Sequence, residues 1–202
     1  MASSFTPPLL PHLHHTATPV GGGDNSSIPF KIASYNLGGL QGQGHVVLSE
    51  LCSKTNNMGV IFLQEHWLTP EKMAQIINFS PFFTTFGISA MEEKISHGIL
   101  MGRPFGGAAT MVHRELMRVT TSLLCTERVS AVRVDKLLLI NVYLPTKSSD
   151  NRSLTDLLLN ELCVLISMNS DCSIVVGGTL IWTSKMILPI QDPYINLWTL
   201  TN

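Results

Sequence analysis

The stretch Gly59 to Leu68, reading GVIFLQEHWL, constrains the fold more than any other. Val60, Ile61, Phe62 and Leu63 make a short unbroken apolar run, the pattern of a strand covered on both faces inside a layered domain. Glu65 follows with only Gln64 between them. A carboxylate delivered to the end of a buried strand is costly to desolvate, so it needs a compensator: a bound cation, an arginine or a set of hydrogen-bond donors. A hard divalent cation such as magnesium takes one or two carboxylates together with substrate phosphate oxygens. The plainer alternative is a carboxylate near a helix N-terminus, because Thr69-Pro70-Glu71 reads as an N-cap followed by proline at the first helical position.

Around this strand the chain alternates between two periods. Lys31 to Leu37 reads as a first strand closed by Gly38-Gly39, followed by a helix with Val46, Val47, Leu48 and Leu51 on its apolar side. A helix is expected around Glu71 to Asn78. Strands are expected over Phe82 to Ile88 and Gly107 to His113, with a loop between them that holds Ser96-His97-Gly98 and Gly102 to Gly106. Glu127 to Asp135 alternates as an amphipathic strand, and a short turn leads to a second, mostly apolar one over Leu137 to Leu144. After the polar loop Pro145 to Arg152, Ser153 opens a helix carrying Leu154, Leu157, Leu158, Leu162 and Leu165 at helical spacing. Ser173 to Val176 is another buried strand, ending at Gly177-Gly178. Strands and helices interleave without strict alternation, which predicts an α/β fold with mixed, largely antiparallel sheets.

With 202 residues, 45% of them hydrophobic, the chain can bury one sizeable core. Its net charge of -1 gives no global basic field to announce nucleic acid. Lys94 to Arg152 carries nine Lys/Arg against four acids, but including Glu92 and Glu93 cuts that surplus to three, so an ordinary solvated surface explains it. Cys52, Cys125, Cys163 and Cys172 form no C-x-x-C pair; each lies among apolar residues and reads as a buried free thiol of a reducing compartment. Met1 to Ser27, rich in Pro, His, Ser, Thr and Gly, is expected to be a disordered tail. It lacks the basic and apolar regions of a secretory signal, and no apolar run approaches the roughly 20 residues of a membrane span. These features predict a soluble intracellular protein, nuclear or cytoplasmic, that is neither secreted nor bound to membrane.

Four groups of residues occur in an order that resembles one superfamily. They are Ser34-Tyr35-Asn36 after the first strand, Leu63-Gln64-Glu65 after the second, Gly106-Gly107 leading a strand, and Asn141-Val142-Tyr143-Leu144-Pro145 ending a hairpin. Together they resemble the endonuclease/exonuclease/phosphatase superfamily, which includes apurinic endonucleases, pancreatic deoxyribonuclease and the endonuclease domains of LINE-type retrotransposons. Gln64 to Leu68, Gly102 to Gly107 and Glu127-Arg128 look most like the retrotransposon branch. The resemblance covers about Ile28 to Gly178 and implies a DNase-I-like two-sheet sandwich, a magnesium cofactor and DNA as partner.

It also implies roles. Glu65 matches the family's metal-binding glutamate, where the ion polarises phosphoryl oxygens. Asn36 matches the asparagine that orients groups around the scissile phosphate, and Tyr143 the tyrosine whose hydroxyl reaches that region. Arg103 could pair with a backbone phosphate if its loop approaches the substrate. Read without the resemblance, Asn36 beside Gly38-Gly39 is a turn residue bonding its own backbone, Tyr143 is core and Arg103 is surface. His66, His97 and His113 read as structural or exposed.

The departures weigh as much. After the strand at Ser173 to Val176 the family pattern calls for Gly-Asp-Phe-Asn, whereas this chain has Gly178-Thr179-Leu180-Ile181, with Thr179 for the aspartate and Ile181 for the asparagine. The family's terminal Asp-His is not matched, and no histidine follows His113. Losing a positioned general base costs about 10²–10⁴ in rate. The expectation is a retrotransposon-derived, magnesium-dependent endonuclease-like domain over 28–178, incomplete and inactive. It lies between the tail over 1–27 and a divergent tail over 179–202, as in a truncated copy. Two alternatives stand beside it: a catalytically dead fragment that binds metal or nucleic acid weakly, and a phosphoesterase acting on small substrates.

Overall fold

The computed structural model describes residues 30–53, 58–98, 102–145 and 151–179 and the strand 196–200. Among these residues nine strands make two sheets. The first has the order β3-β4-β2-β1-β9, from β1 (Lys31–Asn36), β2 (Met58–Gln64), β3 (Phe83–Gly87), β4 (Ala108–His113) and β9 (Asn196–Leu200). The second runs β5-β6-β7-β8, from β5 (Thr120–Cys125), β6 (Val129–Val134), β7 (Leu137–Tyr143) and β8 (Ser173–Thr179). β1 is parallel to β2 and β9, and β7 is parallel to β8, while the remaining pairs are antiparallel. The expected α/β architecture of two mixed sheets is therefore what this chain forms.

Period-two alternation divides the strands between layers. Ile32, Val60, Phe62 and Val112 from the first sheet meet Val132, Val134, Leu139 and Val175 from the second. Their neighbours Ala33, Tyr35, Ile61, Leu63 and Met111 point the other way, against Leu48, Leu51 and Cys52 of α1 (Gln43–Ser53) and Ile76 of α2 (Ala74–Ile77). On the far side, Ala131, Leu138, Ile140 and Val142 lie under Leu158 and Leu162 of α4 (Arg152–Met168). Sheet packs on sheet with helices outside, so β2 is covered on both faces, as its apolar run predicts.

Some expectations give way to packing. Val46 is 59% exposed although its helix was expected to bury it, because α1 turns Gly44, Leu48, Leu51 and Cys52 inward instead. Leu157 is likewise 66% exposed. The helix expected over Glu71 to Asn78 divides into a 3-10 turn at Pro70–Lys72 and the single-turn α2, and Thr69 makes no side-chain cap. A short α3 (Glu92–Ser96), a 3-10 segment at Arg114–Val119, β5 and β9 add to the elements read from sequence. Only Cys52 is a buried thiol; Cys163 is exposed, on a turn of α4 that faces away from the sheet. The expected tail over 1–27 lies outside the described residues, whereas β9 falls within the 179–202 stretch and pairs with β1. Among the described residues no helix is long and apolar enough to cross a membrane.

Candidate active site

The space between the sheets changes character along the strands. Following every second residue toward the strand ends gives Ile32, Ser34, Asn36 on β1; Val60, Phe62, Gln64 on β2; Leu139, Asn141, Tyr143 on β7; and Val175, Gly177, Thr179 on β8. Each series begins apolar and ends polar, so four strands deliver polar side chains to one mouth. Gly177 has no side chain because a Cβ there would stand 2.6 Å from the Phe62 ring.

Below the mouth lies a hydrogen-bonded amide pair. Gln64 Nε2 donates to Asn141 Oδ1 at 2.7 Å and to Ser34 Oγ at 3.3 Å. Asn141 Nδ2 donates to the carbonyls of Leu63 at 3.0 Å and Ala109 at 2.9 Å. Both side chains are buried. Their bonds cross from β7 to β2 and β4, and a buried amide stripped of its partners costs about 1–3 kcal/mol.

At the mouth, Asn36 Nδ2 donates to Glu65 Oε1 at 2.7 Å and to Thr179 Oγ1 at 3.0 Å. Asn36 Oδ1 accepts the Gly38 N–H at 3.0 Å. Asn36 thus bonds its own backbone, as the turn reading expects, and its amide also reaches Glu65 and Thr179, so the protein itself uses both amide protons. The Tyr143 hydroxyl reaches the same carboxylate, and burial first, then the charge on Glu65, push its phenol above the usual tyrosine range, while Arg128 pulls it the other way. The structure therefore gathers Asn36, Glu65 and Tyr143 into one half-buried cluster. Arg103 stands apart from that contact set: its guanidinium lies 4.8 Å from the centroid of the Trp67 ring, two residues along from Glu65.

Glu65 sits on an unusual backbone. It has φ 55° and Trp67 has φ 54°, left-handed values that a non-glycine residue adopts at a cost of about 1–3 kcal/mol. The surrounding chain imposes them. The N–H groups of Leu37, Gly39 and Leu40 bond the carbonyls of Gln64, Glu65 and His66 on one side, and the N–H groups of Glu65 and Trp67 bond the carbonyls of Gly107 and Gly106 on the other.

His66 locks that second side. Its ring is fully buried, and Nδ1 accepts the Leu68 N–H at 3.1 Å, which places the proton of the neutral ring on Nε2. Burial lowers its pKa to about 4, against a smaller opposing influence of the Ile88 backbone. Nε2 is buried without a hydrogen-bond partner. Gly107, at φ 94°, passes so close over the imidazole that any Cβ would collide with Nε2. The expectation of a structural His66 fits this packing. Nothing in the sequence marked it as the wedge between the Glu65 turn and Gly106-Gly107, because the contact joins segments about 40 residues apart.

Magnesium suits a site of one carboxylate with neutral oxygens, since it keeps several waters and draws further ligands from substrate phosphate. Glu65 beside the oxygens of Tyr143 and Thr179 is such a donor set. Among the described residues no group of three or more His, Cys, Asp or Glu could hold a metal by protein ligands alone.

No protein-family model matches the chain, and neither does any curated protein. Solved structures with a similar arrangement include a 3′ phosphatase, NExo, from Neisseria bound to a product DNA hairpin, at 16% identity and a TM-score of 0.48, covering 74% of this chain and 57% of that one. An AP endonuclease from Archaeoglobus fulgidus is similar at 15% identity and a TM-score of 0.49, covering 73% and 55%. TDP2 from D. rerio, complexed with a single-strand DNA product, is similar at 17% identity and a TM-score of 0.47, covering 76% and 61%. The chain thus spans less than two thirds of each of these proteins.

Proposed function

We propose that this chain is a retrotransposon-derived, magnesium-dependent endonuclease-like phosphodiesterase domain directed at DNA, of the endonuclease/exonuclease/phosphatase superfamily, inactive because Thr179 stands where the family carries its aspartate. The observation that carries this reading is the convergence of Glu65, Asn36, Tyr143 and Thr179 from the ends of four strands, with Asn36 bonded to both Glu65 and Thr179.

In this reading Glu65 holds the metal, which when bound polarises a phosphodiester oxygen. Asn36 fixes the Glu65 carboxylate and, with both amide protons already engaged, acts on the substrate through that carboxylate. Tyr143 presents a phenol that stays protonated at neutral pH and can donate to a phosphate oxygen. Arg103, braced on Trp67, offers a charge to the nucleic-acid backbone. The Thr179 hydroxyl is too weak a base to take a proton from water, so binding persists where turnover does not.

A plasmid-nicking assay with magnesium tests turnover: no nicking above the Glu65→Ala background is expected, and robust Glu65-dependent nicking would overturn the inactive state. Magnesium titration by calorimetry tests the binding half. Weak binding that disappears in Glu65→Ala is expected, and identical heats for both proteins would remove Glu65 from the metal site.

A further inference from the structure

We propose that Arg128 is the anchor for the substrate phosphate at this mouth, an inference that rests on the phosphodiesterase reading above. Arg128 precedes β6 and is half-buried. Its guanidinium carbon lies 5.3 Å from the centroid of the Tyr143 ring, and its carbonyl accepts the Tyr143 N–H at 2.8 Å, so the two residues are joined through both ring and main chain.

Despite that placement, Nη1 is buried without a hydrogen-bond partner, and no carboxylate among the described residues lies within ion-pair distance of the group. Arg133 offers the contrast. Its Nη2 and Nη1 donate to Asp171 at 2.9 and 3.5 Å, and its Nε donates to the Asp135 carbonyl at 2.8 Å. A guanidinium held partly out of water with an idle N–H is costly, and only an acceptor brought from outside offsets that cost.

Among the described residues, the other buried side-chain atoms without partners are His66 Nε2 and Trp67 Nε1, which follow Glu65 in the chain. Both are donors, as the tautomer of His66 requires. His66 Nε2 lies sealed under Gly107, out of reach of the mouth, so Arg128 Nη1 is the idle donor that sits beside Tyr143. A planar fork can engage two oxygens of a tetrahedral phosphate at once. Glu65, which faces the same Tyr143 hydroxyl, repels that anion unless a cation lies between them.

The test is phosphorus NMR titration of the full chain with inorganic phosphate in magnesium-free buffer. Wild type is expected to bind, and Arg128→Gln to bind about tenfold or more weakly. Arg128→Lys should fall between them, keeping charge without the fork. Glu65→Gln should bind more tightly, and Arg133→Gln should match wild type. Wild type that fails to bind phosphate, or Arg128→Gln that binds like wild type, overturns the inference. If Arg128→Gln does not fold, wild-type affinity in Arg128→Lys overturns it instead. Failure of the underlying reading looks different: magnesium binding becomes insensitive to Glu65→Ala while Arg128-dependent phosphate binding persists.

Discussion

The ends of β2 and β8 reach the same mouth but are built differently. Beyond β2, five backbone hydrogen bonds from two separate loops hold residues 64–67, two of them in left-handed conformations, and a buried imidazole wedges the arrangement from behind. At the end of β8, Thr179 offers the cluster one hydroxyl, which accepts one bond from Asn36. The carboxylate end keeps its scaffolding, whereas the position proposed to have lost the base keeps little beyond its place in the sheet. Strain at Glu65 persists because many contacts over-determine it. A single substitution at Thr179 meets no such resistance, so the side chain there can vary while the fold remains.

The largest effect should come from breaking the braced end. Gly107→Ala adds a methyl against the His66 ring at φ 94°, and the summed cost of backbone strain and overpacking is roughly 4 kcal/mol. Thermal unfolding should drop by roughly 10 °C, against roughly 3 °C for Thr179→Ala, which loses one half-exposed hydrogen bond. Equal losses would mean the two ends are supported alike.

Acid should probe the same wedge. His66 titrates near 6.5 when unfolded and about 4 when folded, so between those values the unfolded chain holds the extra proton. Stability is then complete above about pH 6.5 and falls by about 3 kcal/mol as the pH drops toward 4. Urea melts across this range should show the slope, and His66→Gln should flatten it. An unchanged slope in that variant would assign it to other groups.

The smallest effect sharpens the other end. Thr179→Asp puts a second carboxylate on the Asn36 amide near Glu65, costing on the order of 1 kcal/mol by like-charge repulsion. Added magnesium should restore that stability and bind more tightly than to wild type. A melt indifferent to magnesium would show that the two positions do not share an ion.

What the sequence disclosed follows from range. β2 was readable because Val60 to Leu63 is an uninterrupted apolar run, and β1, β6, β7 and β8 because their patterns are local. β5 escaped because Thr120, Thr121 and Ser122 lie toward solvent and give no apolar alternation, and α3 because five residues make too short a period. That Glu65, Asn36 and Tyr143 come together was legible through motif order. The Asn36–Thr179 bond, the His66–Gly107 contact and the idle Arg128 donor were not, since each joins segments whose proximity only the folded sheets establish. Leu157 and Val46 show the limit of periodicity: helical spacing names a stripe but cannot say which part of it the sheet will cover.

The amide pair of Gln64 and Asn141 has a mechanical consequence. It rivets the two sheets just beneath the rim, where sliding one across the other would break the Asn141 bonds to Gln64, Leu63 and Ala109 at once. The strand ends above it are accordingly held at a fixed spacing. Any rearrangement of Asn36, Glu65, Tyr143 and Thr179 must come from rotating side chains rather than from a shift between the sheets.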